Sequence, residues 1–337
     1  MQNKMQPAVW RSPLTLAVGA ASFGAILTAC LIGPAGLSLP QSLAALFGAG
    51  SENAQIIVRD IRLPRALAAW AVGAALGASG AAMQGLLRNP LADPGILGVS
   101  TAAALGAVIA IYFNLSAYGS WVTPLAAIVF ALGATTVFYI LGAGRISTTR
   151  LILVGVGMSS FTAALIALVM NLAPNPFILS DLVNWLFGSA ANRSFDDLAL
   201  TTPFMAAGLA LVLLTRNGLT ALTLGEETAF TLGVNVARIR TFVIAGASLM
   251  AGASVALAGA IGFVGIVAPH LARPFARHDP GRTIIPAALI GGAILAIADL
   301  VIRLAPFDYE LRLGVAAALI GAPGFIWVAA TTKRIAA

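Results

Sequence analysis

Few residues in this chain can do chemistry, and most of them stand at the edges of long apolar stretches. Arg59, Arg62 and Arg65 cluster just before one such stretch. Asp299 and Arg303 are four residues apart, so they can pair on one helix face. A charge inside an apolar helix is costly and is either satisfied or functional. A structural ion pair is the first reading for Asp299, while Arg303, nearer the helix end, can join a basic rim that receives an acidic partner. His270 and His278 lie eight residues apart without the acidic partners of a helical zinc site. A phosphate-binding loop needs a lysine beside a glycine-rich turn. The only lysines are Lys4 and Lys333, near the two ends, so ATP is not bound by that route. No nucleophile–base pair stands out. The lone Cys30 excludes an intramolecular disulfide and a cysteine metal cluster.

These residues must be positioned by helices in lipid. Of 337 residues, 59% are hydrophobic and 9% charged, against about 25% charged in a soluble domain. A hydrocarbon core about 30 Å thick needs roughly 20 apolar residues per helix. Unbroken Ala/Leu/Ile/Val/Gly runs are unlike the alternating strands of a membrane barrel, and in lipid every backbone polar group must be paired. The expected fold is an all-α polytopic membrane protein, one transmembrane domain over 1–337, with helices near 14–32, 66–87, 95–113, 121–142, 151–170, 198–215, 240–259, 261–270, 284–304 and 313–330. The eighth is short and broken by Pro269. Leu27 to Cys30 resembles a lipoprotein cleavage box, but the apolar segments that follow favour a retained first helix.

An even number of spans puts both ends on one side, and charge chooses which. With the ends inside, Lys4, Arg11, Arg88, Arg145, Arg150, Arg216, Arg238, Arg240, Arg273, Arg277, Arg282, Lys333 and Arg334 are cytoplasmic. Arg59, Arg62, Arg65, Arg193, Arg303 and Arg312 are then outside. The net charge of +7 thus reflects membrane orientation rather than nucleic-acid binding. Pro40 to Asp60 and Pro174 to Phe195 are expected to form short interfacial helices. Gly73, Gly77, Gly291 and Gly292 let helix backbones approach closely.

Two inner segments carry signals of their own. Asp93 followed by Pro94 reads as a helix N-cap with proline at the first helical position, within the tight turn Arg88 to Gly95. In the longest inner loop, Thr223 to Glu226 fits a capping box and Gly233 a helix terminator. A short helix near Leu224 to Leu232 would present Glu226, Glu227 and Thr228 to a soluble partner.

The order and spacing of several motifs resemble the permease subunits of type II ABC importers for iron-siderophores, haem and cobalamin, the FecCD-like family. They are Arg62-Leu-Pro-Arg65, Gly80 to Gln84, Asn89 to Gly98, Leu224 to Glu227 with Leu232-Gly233, Gly259 to Gly265, Pro269-His270, Ala298-Asp299 and Gly321 to Pro323. The resemblance covers nearly the whole chain. It implies ten helices, a second permease subunit, two cytoplasmic ATPase subunits that hold the ATP and Mg, and a periplasmic substrate-binding protein in a bacterial inner membrane. No cofactor is implied for this chain, and it is not itself an enzyme. It further implies that Arg62, Arg65 and Arg303 dock the binding protein. Leu224, Gly225, Glu226, Glu227, Thr228, Ala229, Leu232 and Gly233 would couple to the ATPase, and Asn89 and Leu91 would lie at the cytoplasmic gate. The implied cargo is a ferric siderophore or similar chelate, with haem or cobalamin as alternatives. In this family a proline often follows the Glu-Leu before the last helix; here Arg312 follows Glu310-Leu311 and adds an outer charge. An ion-coupled transporter using Asp299 is the rival, thinly supported by a single acid beside an arginine.

Overall fold

The computed structural model describes residues 13–141, 148–306 and 309–331; Lys4, Arg11, Arg145, Lys333 and Arg334 lie outside them. Every regular element among the described residues is helical. The membrane-scale helices are α1 (Pro13–Leu31), α4 (Leu63–Leu87), α5 (Val99–Tyr112), α6 (Val122–Leu141), α7 (Thr148–Asn171), α9 (Phe195–Leu214), α12 (Val236–Ala258), α14 (Pro280–Leu304) and α15 (Leu313–Thr331). Shorter pieces are α2 (Leu39–Leu46), α3 (Glu52–Gln55), α8 (Pro176–Leu186), α10 (Arg216–Leu222), α11 (Glu226–Thr231) and α13 (Val264–Ala272). Seven continuous helices among the described residues are long and apolar enough to cross a membrane, and α5 and the described apolar part of α15 are shorter. With the half-length α13, they occupy all ten expected stretches.

α4 sits at the centre, against α14, α12 and α13. It is apolar on every side and nearly all of it is buried, as expected of a helix enclosed by others. Small residues make that enclosure tight. A Cβ on Gly73 would lie 2.1 Å from the Gly291 carbonyl oxygen, one on Gly77 2.2 Å from that of Ala287, and one on Gly80 1.9 Å from that of Gly265. The glycines therefore set the distance between helix axes. Trp70 adds a polar clasp: its Nε1 donates to Ser22 Oγ (2.8 Å), and Ser22 donates to the Leu289 carbonyl (2.8 Å), tying α4, α1 and α14. α7 is the opposite case. It exposes Leu153, Val156, Phe161 and Leu168, and little of it is covered by the rest of the chain.

The second span differs from its expected bounds. It runs unbroken from Glu52 to Leu87, so Arg59, Arg62 and Arg65 lie within a helix rather than before one. Pro64 has no N–H and would break the ordinary bonding ladder. Immediately ahead of it, Ile56–Arg62 winds as a π-helix, a local adjustment that keeps the helix going. Of the outer segment Pro40 to Asp60, only α2 is a separate helix of its own, while α8 forms as expected within Pro174 to Phe195.

Candidate functional sites at the two ends of the helices

At one end, the arginines are turned into the protein. Arg62 is 4% exposed; its Nη1 donates to the Leu31 carbonyl (3.0 Å) and, at 3.5 Å, to Ser42 Oγ. Arg303 Nη2 donates to the Ala29 carbonyl at 2.7 Å. Both acceptors belong to the last turn of α1, whose carbonyls have no partner within the helix and carry the negative end of its dipole. Two of the three expected docking arginines thus cap α1.

The third organises a buried charge cluster. Arg65 Nε lies 3.0 Å from both Asp299 oxygens, and its Nη2 donates to Oδ1 at 2.8 Å. Arg65 also donates to Glu310, just before α15. Asp299 is 1% exposed, and Arg303 Nε stands 3.1 Å from its Oδ2 as an ion contact without hydrogen-bond geometry. The Asp299–Arg303 pair expected from spacing is present. Its second arginine, Arg65, is 234 positions away in sequence, beyond the reach of spacing arguments. The part played by Glu310 was not legible either; its sequence signal is only that of an acid, two positions after Asp308, ahead of the last helix. Arg312, the extra outer charge, is half-buried and donates to Asn184 Oδ1 of α8 at 3.0 Å. Arg59 stays exposed.

At the other end, Asn89 and Leu91 form a single turn. The Leu91 N–H donates to Asn89 Oδ1 at 2.9 Å, and Arg88 ends α4 in the left-handed region at φ 49°. The Asp93 cap forms as expected: Oδ1 accepts the Gly95 N–H at 2.7 Å, with Pro94 opening a 3-10 turn to Leu97, and α5 starts only at Val99. Burial raises the Asp93 carboxyl above its ordinary value, an effect the Gly95 N–H opposes. At the same end of the bundle, Arg273 Nη2 donates to Gln84 Oε1 at 2.6 Å, linking the segment after α13 to the end of α4.

The connection between α9 and α12 forms two short helices, α10 and α11. Thr223 does not cap the second: its hydroxyl donates back to the Thr220 carbonyl at 2.7 Å, closing α10. Gly225 (φ 102°) and Gly233 (φ 81°) bracket α11 instead, both in conformations that favour glycine. Ala229 is fully buried, holding α11 to the body. Glu226, Glu227 and Thr228 are exposed, as are Leu224, Phe230 and Leu232. Glu226 pairs with Arg240 at 3.2 Å. Phe230, 76% exposed, is the feature sequence reasoning passed over. An apolar knob framed by acids, outside the long helices, is suited to seating in a cleft of another protein.

The model of the FecCD transport family matches residues 21–331. The chain belongs to that family. It is a multi-pass membrane protein, the permease subunit of an ABC importer. Among its relatives, an uncharacterised ABC transporter permease, YvrB of Bacillus subtilis, is 38% identical over 274 residues, 80% of this chain and 77% of YvrB. The vitamin B12 import permease BtuC of Klebsiella pneumoniae is 38% identical over 279 residues, covering 82% and 83% of the two chains. A solved ABC transporter assigned to the metal-chelate type, in an inward-facing conformation, aligns with TM-score 0.83 and 28% identity over 94% of this chain and 98% of its own. PsaBC of Streptococcus pneumoniae shares the fold at TM-score 0.53 and 19% identity, over 86% and 95% of the chains.

Proposed function

We propose that this FecCD-family permease forms, with a second permease subunit, the path by which a ferric siderophore or similar metal chelate crosses a bacterial inner membrane, both termini being cytoplasmic. The observation that carries the reading is the family match over nearly the whole chain, joined to an exposed docking helix at one end and a charge cluster at the other. Cobalamin is the second reading, favoured by 38% identity to a vitamin B12 import permease.

In this reading ATP and Mg are held by two separate cytoplasmic ATPase subunits. The segment Leu224 to Gly233 seats in one of them, with Phe230 as its anchor and Glu226 and Glu227 at the rim. ATP-driven closure then moves α10 and α11, and through them the bundle. Asn89 and Leu91 sit at the cytoplasmic gate, on a turn that can shift as a unit between α4 and α5. A periplasmic binding protein delivers the cargo to the other mouth, where carboxylates on it meet Arg62, Arg65 and Arg303. Long-range attraction to this end speeds encounter and weakens with salt. An ion-coupled mechanism at Asp299 has less support, because two arginines already hold that carboxylate.

The test is co-purification. A tagged chain should bring down an ATPase and a second permease subunit, and the substrate-binding protein added back should bind a ferric chelate. Uptake that continues without ATP and follows an ion gradient would sink the proposal.

A further inference from the structure

Glu310 is the second acid of the charge cluster at the outer end of α4 among the described residues. Arg65 and Arg303 share one fully buried carboxylate, Asp299, so that pair of guanidiniums leaves one positive charge over. Glu310 supplies the missing negative charge through Arg65. The two acids differ in kind. Asp299 is 1% exposed on α14, whereas the Glu310 side chain is 43% exposed in the connection before α15. Arg65 itself is 11% exposed at its side chain, so its outward edge is the part that Glu310 covers. The buried acid is a fixed counter-ion; the exposed one is replaceable at little desolvation cost.

We infer that Glu310 is an internal stand-in for a carboxylate of the docking protein: it occupies Arg65 in the free permease and is exchanged for the partner's acid on docking. The inference rests on Arg65 being a docking residue, as proposed above. Exchange keeps Arg65 paired in both states and adds a competing intramolecular partner, which lowers affinity for any protein whose acid is misplaced. It also gives the connection to α15 a different position when the partner is bound. Downstream, Arg312 is tied to Asn184 in the free permease, an anchor next to the start of α15.

The experiment uses the full chain in its transporter complex and the importer's purified substrate-binding protein, with affinity measured for wild type, Glu310→Gln, Glu310→Asp, Arg65→Gln and the double variant. Glu310→Gln should bind about threefold to tenfold tighter, with Glu310→Asp between it and wild type. In the Arg65→Gln background, Glu310→Gln should change nothing. The arginine reagent phenylglyoxal, with adducts read by mass spectrometry, should modify Arg65 faster in Glu310→Gln without any partner present. If Arg65→Gln weakens binding but Glu310→Gln leaves it equal or weaker, the exchange is overturned and docking at Arg65 stands. If Arg65→Gln binds as well as wild type, the docking reading itself fails and the exchange falls with it.

Discussion

Asp299 is fully buried and Asp93 partly buried, and their surroundings give them opposite roles. Asp299 is held by Arg65 and Arg303, each placed by a different helix. Replacing a buried pair by apolar groups can be neutral, but deleting one partner leaves uncompensated charge. Asp299→Ala should therefore cost about 3–5 kcal/mol, seen as a large fall in melting temperature of the detergent-solubilised protein. A normal melting curve would mean that the arginines are solvated after all. Asp93, in the connection between α4 and α5, has no cation and only a backbone N–H. Its folded-state pKa is raised, so its protonated form is the one that folding favours. That contribution is present below the ordinary aspartate value and is lost as pH rises through the raised one. Asp93→Asn keeps the cap acceptor and removes the charge. It should melt above wild type at neutral pH, with the difference vanishing in acid. Asp93→Ala also removes the charge but loses the cap, so it should be about 1 kcal/mol less stable than Asp93→Asn at either pH.

Among the elements, the contacts of α4 with α14 and α13 leave little room for change. Valine at Gly80 would place its Cβ 1.9 Å from a carbonyl oxygen on α13, a backbone atom that no rotamer change can move. Gly80→Val should lose at least the roughly 1–3 kcal/mol of ordinary overpacking, read as reduced yield of folded monodisperse protein. Gly133, where a Cβ meets nothing within 4 Å, is the control and should accept valine. Gly73, Gly77, Gly291 and Gly292 were legible in the sequence as a packing signal, because small residues in apolar helices have few other uses; Gly80 stood out only within a family motif. So were the spans, since hydrophobic length is a local property. What spacing could not supply was contact between distant segments: Arg65 with Asp299, or Arg303 and Arg62 with the end of α1. Local competition also defeated one expectation. Thr223 has the right spacing for a capping box, but the Thr220 carbonyl at the end of α10 lies closer to hand. The π-helix before Pro64 was hidden for a related reason: a proline reads as a helix start, and only the surrounding packing shows that the helix began three turns earlier.

For the whole molecule, the two ends of the bundle are chemically distinct, and that asymmetry can be read directly. α2 and the start of the Glu52 helix form one end with the arginine cluster, while α10, α11 and the Asn89 turn form the other. Arginine is costly to carry across a bilayer, so the richer side stays in the cytoplasm. Counting the described residues, Arg88, Arg150, Arg216, Arg238, Arg240, Arg273, Arg277 and Arg282 belong to the α11 end, against Arg59, Arg62, Arg65, Arg193, Arg303 and Arg312 at the other. The margin widens because Arg62, Arg65 and Arg303, all on the poorer side, are held by internal partners. Site-directed labelling settles the orientation with little background, since the single Cys30 is fully buried. A cysteine at exposed Asn53 should react with a membrane-impermeant maleimide added to intact cells with the outer membrane opened. A cysteine at exposed Thr228 should react only after the inner membrane is broken. The reverse pattern would place α11 outside, out of reach of any cytoplasmic ATPase, and would overturn both docking assignments together.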